Sequence, residues 1–156
     1  MAAELPGPHY PALLQLLRTA ETLWGSSRVF FARWDLSPAQ FNLLNLLVDR
    51  PEGLTQSELG RELLTHRSNI TGLVDRLESR DLVCRKEQAG DRRAWRVVLT
   101  PAGSRLVTEV LPHYYRAAET VWRGVPVRRA EEVSRILHQV TANTLEAVDQ
   151  LPKETR

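Results

Sequence analysis

The chain has 156 residues, with 21 Lys and Arg against 19 Asp and Glu and 42% hydrophobic residues. That suffices for one domain or a compact two-lobed subunit and argues against global disorder. No apolar run approaches the ~18 residues of a membrane span, the opening MAAELPGPHYPALL lacks the basic-then-apolar order of a secretory leader, and the single Cys84 excludes an internal disulfide framework and a CxxC metal pair. A cytoplasmic protein with no membrane partner is expected.

Residues 1–7 read as a loose tail. From 8 to about 31, Leu13, Leu14, Leu17, Ala20, Leu23 and Trp24 recur at helical spacing. Pro8 and Pro11 fall in the first turn, where a missing N–H does little harm. This helix carries more apolar surface than one stripe needs, so it either binds a partner or packs on its own subunit. Asp35-Leu36-Ser37-Pro38-Ala39-Gln40 is a helix start, with Ser37 as N-cap, Pro38 at the first position and Gln40 closing a capping box. The helix it opens runs to 48 or 49, where Arg50-Pro51-Glu52-Gly53 ends it. A second capping box, Thr55-Gln56-Ser57-Glu58, opens a short positioning helix over 56–64, and Thr65 is placed to cap the next one.

The stretch that follows organises the rest. Over 66–80, Ile70, Leu73, Val74 and Leu77 fall at i, i+3, i+4 and i+7 and must face a core. Opposite them stand Ser68, Gly72, Asp75 and Ser79, with Asn69, Thr71 and Arg76 on the flanks. Small polar groups and one residue without a side chain let a helix backbone come close to another surface, as a major-groove helix must. A merely solvated amphipathic helix is the plainer alternative. Arg67, Ser68, Asn69 and Thr71 lie in the half of such a helix that meets base edges, Gly72 permits the approach, and Arg76 suits a phosphate. Arg80 and Arg85 suit either phosphate or structural contacts.

Next come two β-prone runs, 82–87 and 94–99, joined over 88–93 with Gly90-Asp91 at the turn. Arg92, Arg93 and Arg96 sit at or just past the tip, and guanidinium groups on an exposed arm suit the electronegative minor groove. The alternative is a solvated turn in which Asp91 pairs with Arg93. Between 61 and 105 there are ten basic and six acidic residues, whereas the remainder holds eleven and thirteen. The positive excess therefore lies on the proposed reading head, as phosphate binding requires. A long helix then starts at Thr100-Pro101, with Pro112 expected to kink it, and reaches Gly124. A last helix over 127–151 presents Val133, Ile136, Leu137, Val140 and Val148. Long apolar-faced helices at both ends of a compact head suggest a dimer platform.

The run Asp91-x-Arg93-x-x-x-Val97-x-Leu99-Thr100-x-x-Gly103 resembles the wing signature of the MarR family of bacterial transcription regulators. Leu73-Val74-Asp75-Arg76-Leu77-Glu78 is similar to that family's recognition helix. The resemblance implies a homodimer that binds double-stranded DNA and is often released by a small aromatic or phenolic ligand, held between the platform and the head. Trp24, Trp34, Phe41 and Tyr114 are the ligand candidates on that basis, with core packing as the alternative for each.

The expected fold is mainly α with a small β-hairpin: a winged helix-turn-helix head over 37–100 and dimerisation helices over 8–34 and 101–151. Scattered histidines, no HExxH, no GxSxG and no phosphate-cradling glycine loop point to no metal, no cofactor and no enzymatic activity. Cys84 is expected half-buried, and whether it is redox-active is left open by the sequence. Two rival functions remain open, a winged-helix protein-interaction module without DNA binding and a ligand-independent constitutive repressor.

Overall fold

The computed structural model describes residues 7–63, 67–88 and 91–150, without the side chains of 67, 68, 88 and 91–94. The expected tail up to residue 6, the Thr65 cap and the Gly90 turn lie outside the described residues. The chain forms two compact units, Met1–Leu111 and Pro112–Arg156.

In the first unit, α1 (Tyr10–Phe31) starts with proline in its first turn and runs into a short 3-10 turn over Ala32–Trp34. Asp35 then takes a left-handed conformation, φ 52°, and redirects the chain. The next helix, α2 (Pro38–Val48), begins with the full capping box, Gln40 N–H donating to Ser37 Oγ at 3.2 Å and Ser37 N–H to Gln40 Oε1 at 2.7 Å. The same device at Thr55 and Glu58 starts α3 (Gln56–Glu62). These two starts are local hydrogen-bond patterns, so short-range sequence specifies them.

After α4 (Arg67–Glu78), Asp81 occupies the left-handed position that glycine usually fills, φ 55°. Leu82 N–H reaches back to the Leu77 carbonyl at 3.0 Å, which ends the helix in a Schellman-type turn. Two strands follow, β2 (Val83–Gln88) and β3 (Asp91–Leu99), with a bulge between Glu87 and Gln88. The sheet has a third strand that the sequence reading did not anticipate: β1 (Leu54–Thr55) lies antiparallel to β3, Leu54 opposite Val97, giving the order β1-β3-β2. Gly53, at φ 72°, makes the turn into β1, and a Cβ there would collide with the Val97 carbonyl and the Val98 side chain.

The core gathers one face from each element: Leu43, Leu44 and Leu47 of α2, Leu59 of α3, Ile70, Val74 and Leu77 of α4, and Val83 and Val97 of the strands. Phe31 stacks on Phe41 with ring centroids 4.4 Å apart, and Phe30 meets Phe31 edge-on at 5.0 Å. The whole predicted stripe of α4 is buried. Burial of each such side chain is worth about 1.5–3 kcal/mol against exposure, so the inward face of α4 is fixed and its outer face follows from it. The last helix to join this core, α5 (Pro101–Val121), contributes Val107 and Val110. Its start is held by the buried Thr100, whose hydroxyl accepts from Gly103 N–H at 3.0 Å.

α5 stays a single helix past Pro112, where the Thr108 carbonyl loses its intrahelical donor. The second unit contains α6 (Val127–Asp149), reached through Gly124 at φ 82°. It buries none of its residues and exposes Ile136, Leu145 and Val148. Among the described residues, no helix is long and apolar enough to cross a membrane.

Candidate nucleic-acid interface

The outward side of α4 is the candidate reading surface. Asn69, Thr71, Asp75, Arg76 and Ser79 are exposed, and Gly72 is half-exposed among them. Among the described residues, a Cβ built at Gly72 would touch only the Arg76 guanidinium, at 3.7 Å, so no described neighbour requires its absence. The Thr71 hydroxyl donates to Gln56 Oε1 at 2.9 Å, which ties the first half of α4 to the first residue of α3. Arg67 opens α4, and Ser68 follows it. Arg92 and Arg93 fall near the start of β3. The side chains of these four residues lie outside the description.

The other basic residues of the head divide in a way the sequence did not show. Arg85, on β2, faces α4 and binds the carboxylates of both Asp75 and Glu78, while its own backbone N–H donates to Glu78 Oε1 at 3.0 Å. Burial works against its charge more than any other single influence, yet the two carboxylates together raise its pKa. Arg80 donates to the carbonyls of Asp35 and Trp34 and pairs with the Asp35 carboxylate at 3.4 Å, fastening the segment after α4 to the joint between α1 and α2. Arg96, expected at or just past the wing tip, instead turns to the base of the wing. It donates to the carbonyls of Glu52 and Gly53 at 3.0 and 2.8 Å and lies 3.6 Å from Glu58. The reason is strand alternation: Arg96 sits opposite Thr55 of the unforeseen β1, so its side chain meets the turn that leads into that strand. Glu58 itself is held below the usual carboxylate range, chiefly by the Thr55 backbone N–H and then by the Thr55 hydroxyl.

Beside α4 is a cleft of about 440 Å³ lined by Trp24 of α1, Ala39 and Asn42 of α2, Leu63, and Asn69, Leu73 and Arg76 of α4. It joins one ligand candidate, Trp24, to two of the DNA candidates. The remaining aromatic candidates are placed elsewhere. Phe41 is fully buried against Phe31, so it is core and presents no surface to a ligand. Trp34 is half-buried, donates from Nε1 to Glu109 Oε1 at 2.8 Å, and has the Arg33 guanidinium 4.8 Å above its ring. Tyr114 belongs to the second unit. Cys84 is half-buried, as expected. Asn42 and Leu63 were not singled out from sequence, because only the meeting of α1, α2 and α4 puts them on one wall.

Residues 34–94 match the family model described as the MarR family. Among curated proteins, the chain is 29% identical over 112 residues to the transcriptional repressor MprA of Escherichia coli K12, an alignment covering 72% of this chain and 61% of MprA. The chain thus spans less than two thirds of that relative's length. Among solved structures, it is similar to Staphylococcus aureus MepR in a DNA complex, with a TM-score of 0.75, 20% identity and coverage of 90% of this chain and 99% of that one. It is also similar to CouR from Rhodococcus jostii RHA1 bound to p-coumaroyl-CoA, with a TM-score of 0.78, 24% identity and coverage of 87% and 95%. At those identities the structural likeness establishes the fold, a winged helix within a mainly helical chain.

Proposed function

We propose, from the match of residues 34–94 to the MarR family model and the likeness to MprA, that the chain is a MarR-family, sequence-specific transcription regulator, acting as a repressor on double-stranded DNA. Two copies would present two α4 helices about one DNA turn apart, ~34 Å, to a pseudo-palindromic operator. The observation that carries this reading is the outer face of α4, where a Cβ at Gly72 would meet, among the described residues, only the end of Arg76. On this reading Asn69, Thr71 and Arg76, with Arg67 and Ser68 before them, meet the major groove, and Arg92 and Arg93 enter the minor groove. The pairing of Asp75 and Glu78 with Arg85 weakens the rival reading of an acidic protein-interaction face.

Release by a small aromatic ligand is part of the proposal. The cleft between Trp24 and α4 combines an aromatic wall, the Asn42 and Asn69 amides and the Arg76 guanidinium. A ligand seated there would compete for two side chains that the DNA reading also uses, and would act by its differential affinity for the free and DNA-bound arrangements. The ligand-bound state of CouR and the DNA complex of MepR support the two halves of this reading by fold alone.

The deciding experiment is a gel shift of the full chain with the DNA upstream of its own coding region, against an unrelated duplex. Wild-type protein should shift the upstream DNA selectively, and Ser68→Glu should not while keeping its helical circular dichroism. Equal retention of both duplexes, or full binding by Ser68→Glu, would remove the proposal.

A further inference from the structure

A recognition helix that carries Asp75 and Glu78 presents two negative charges beside a polyanion, and Asp75 lies on the same outward side as Gly72. Its carboxylate is 56% exposed, so nothing inside the subunit requires it to be neutral. Both carboxylates nevertheless converge on one guanidinium from the neighbouring strand, Arg85, which is itself only 23% exposed. Arg85 stands opposite Val97, on the sheet face that packs toward α4. Its planar fork can hold two carboxylates at once, which a lysine ammonium does less well.

We infer that Arg85 is a positioning residue for DNA recognition: it cancels the charge of Asp75 at the reading surface, and Glu78 holds its guanidinium in place to do so. This rests on the DNA-binding reading above. On this inference Arg85 acts without touching phosphate, since both of its terminal nitrogens are turned to the carboxylates. Its contribution comes from suppressing a repulsion, and the Glu78 carboxylate keeps the guanidinium where it does so. An isolated brace and a charge mask make different predictions. An unpaired carboxylate as exposed as Asp75 is solvated and costs little stability, but beside DNA phosphates it opposes binding.

The test uses the full chain and a 30-base-pair duplex enriched by the wild-type protein from a random pool, with binding read by fluorescence anisotropy well below the melting temperature of every variant. Arg85→Gln should weaken binding by roughly ten- to a hundredfold, and Arg85→Gln with Asp75→Asn should recover most of that loss. If Asp75→Asn gives no recovery, Arg85 is a brace or a direct phosphate contact, and the charge-masking inference is overturned. A second comparison holds even where Arg85→Gln alone fails to fold. On the background of Asp75→Asn with Glu78→Gln, which leaves no carboxylate to mask, adding Arg85→Gln should change affinity by less than about threefold. A tenfold loss there would show that Arg85 touches DNA itself. If the wild-type protein enriches no duplex at all, the regulator reading falls, and with it this inference. If wild type binds and the rescue fails, only the inference falls.

Discussion

At the scale of single residues, two glycines show how position decides what a missing side chain is for. Gly103 lies against the Leu82 carbonyl, and a Cβ there would overlap it. Gly103→Ala should therefore lower stability by about 1–3 kcal/mol, read as a shifted denaturant midpoint, whatever the protein binds. Among the described residues, Gly72 meets only the end of Arg76. Gly72→Glu should leave the denaturation midpoint within about 1 kcal/mol, since surface substitutions away from packed features have small effects, yet abolish the gel shift. A Gly72→Glu protein that still bound its duplex at wild-type strength would mean that α4 is not the reading element. The wing arginine makes a different prediction. If Arg93 neutralises one phosphate per subunit, Arg93→Ala should flatten the slope of log K against log salt by roughly 0.9 per contact, about 1.8 per dimer, while Asn69→Ala leaves it nearly unchanged. Binding measured across a salt series separates the two.

At the scale of elements, helix starts and strand pairing account for how the head is held. The capping box at Thr55 and Glu58 opens α3, and the depressed pKa of Glu58 ties that start to pH. A carboxylate whose folded pKa lies below its unfolded value of 4.5 stabilises the fold above that value. The contribution is lost as pH falls through the folded pKa. Because the side chain is 34% exposed, solvent screens the effect and it should be modest. Thermal melts between pH 7 and pH 3 should show Glu58→Gln below wild type at neutral pH, with the two curves converging in acid. A constant gap across that range would show that the charge of Glu58 does not support the helix. The same carboxylate lies near Arg96, so α3, β1 and the base of the wing form one electrostatically joined corner.

At the scale of the whole molecule, exposed apolar surface is concentrated outside the head. α1 exposes Leu13, Leu17, Trp24 and Val29, and α6 exposes Ile136, Leu145 and Val148. Within the head only Val48 and Trp95 are comparable among the described residues. Helical faces of that kind are covered in stable proteins by a partner element. Sedimentation at micromolar concentration should give about twice 17.8 kDa. A stable monomer would end the two-half-site mechanism, though one winged-helix head could still bind a half-site weakly.

The sequence by itself determined the helices and most of their limits, because capping boxes, proline positions and the 3.6-residue stripe of α4 are local signals written within a few residues of one another. It also determined which side of α4 faces inward, since Ile70, Leu73, Val74 and Leu77 have only one way to be buried together. What it left open depended on long-range pairing. Two residues, Leu54 and Thr55, are too few to show strand alternation, and they become β1 only because β3 is there to accept them. Through that pairing Arg96 is drawn to the base of the wing. The destinations of Arg80 and Arg85 follow similarly from contacts 45 and 10 residues away. A long basic side chain reaches several ångströms in any direction, and its charge is committed by whichever carboxylate or carbonyl the tertiary fold brings within range. The sequence therefore located α4 and its inward face, whereas only the folded chain decided which of the head's arginines hold it together.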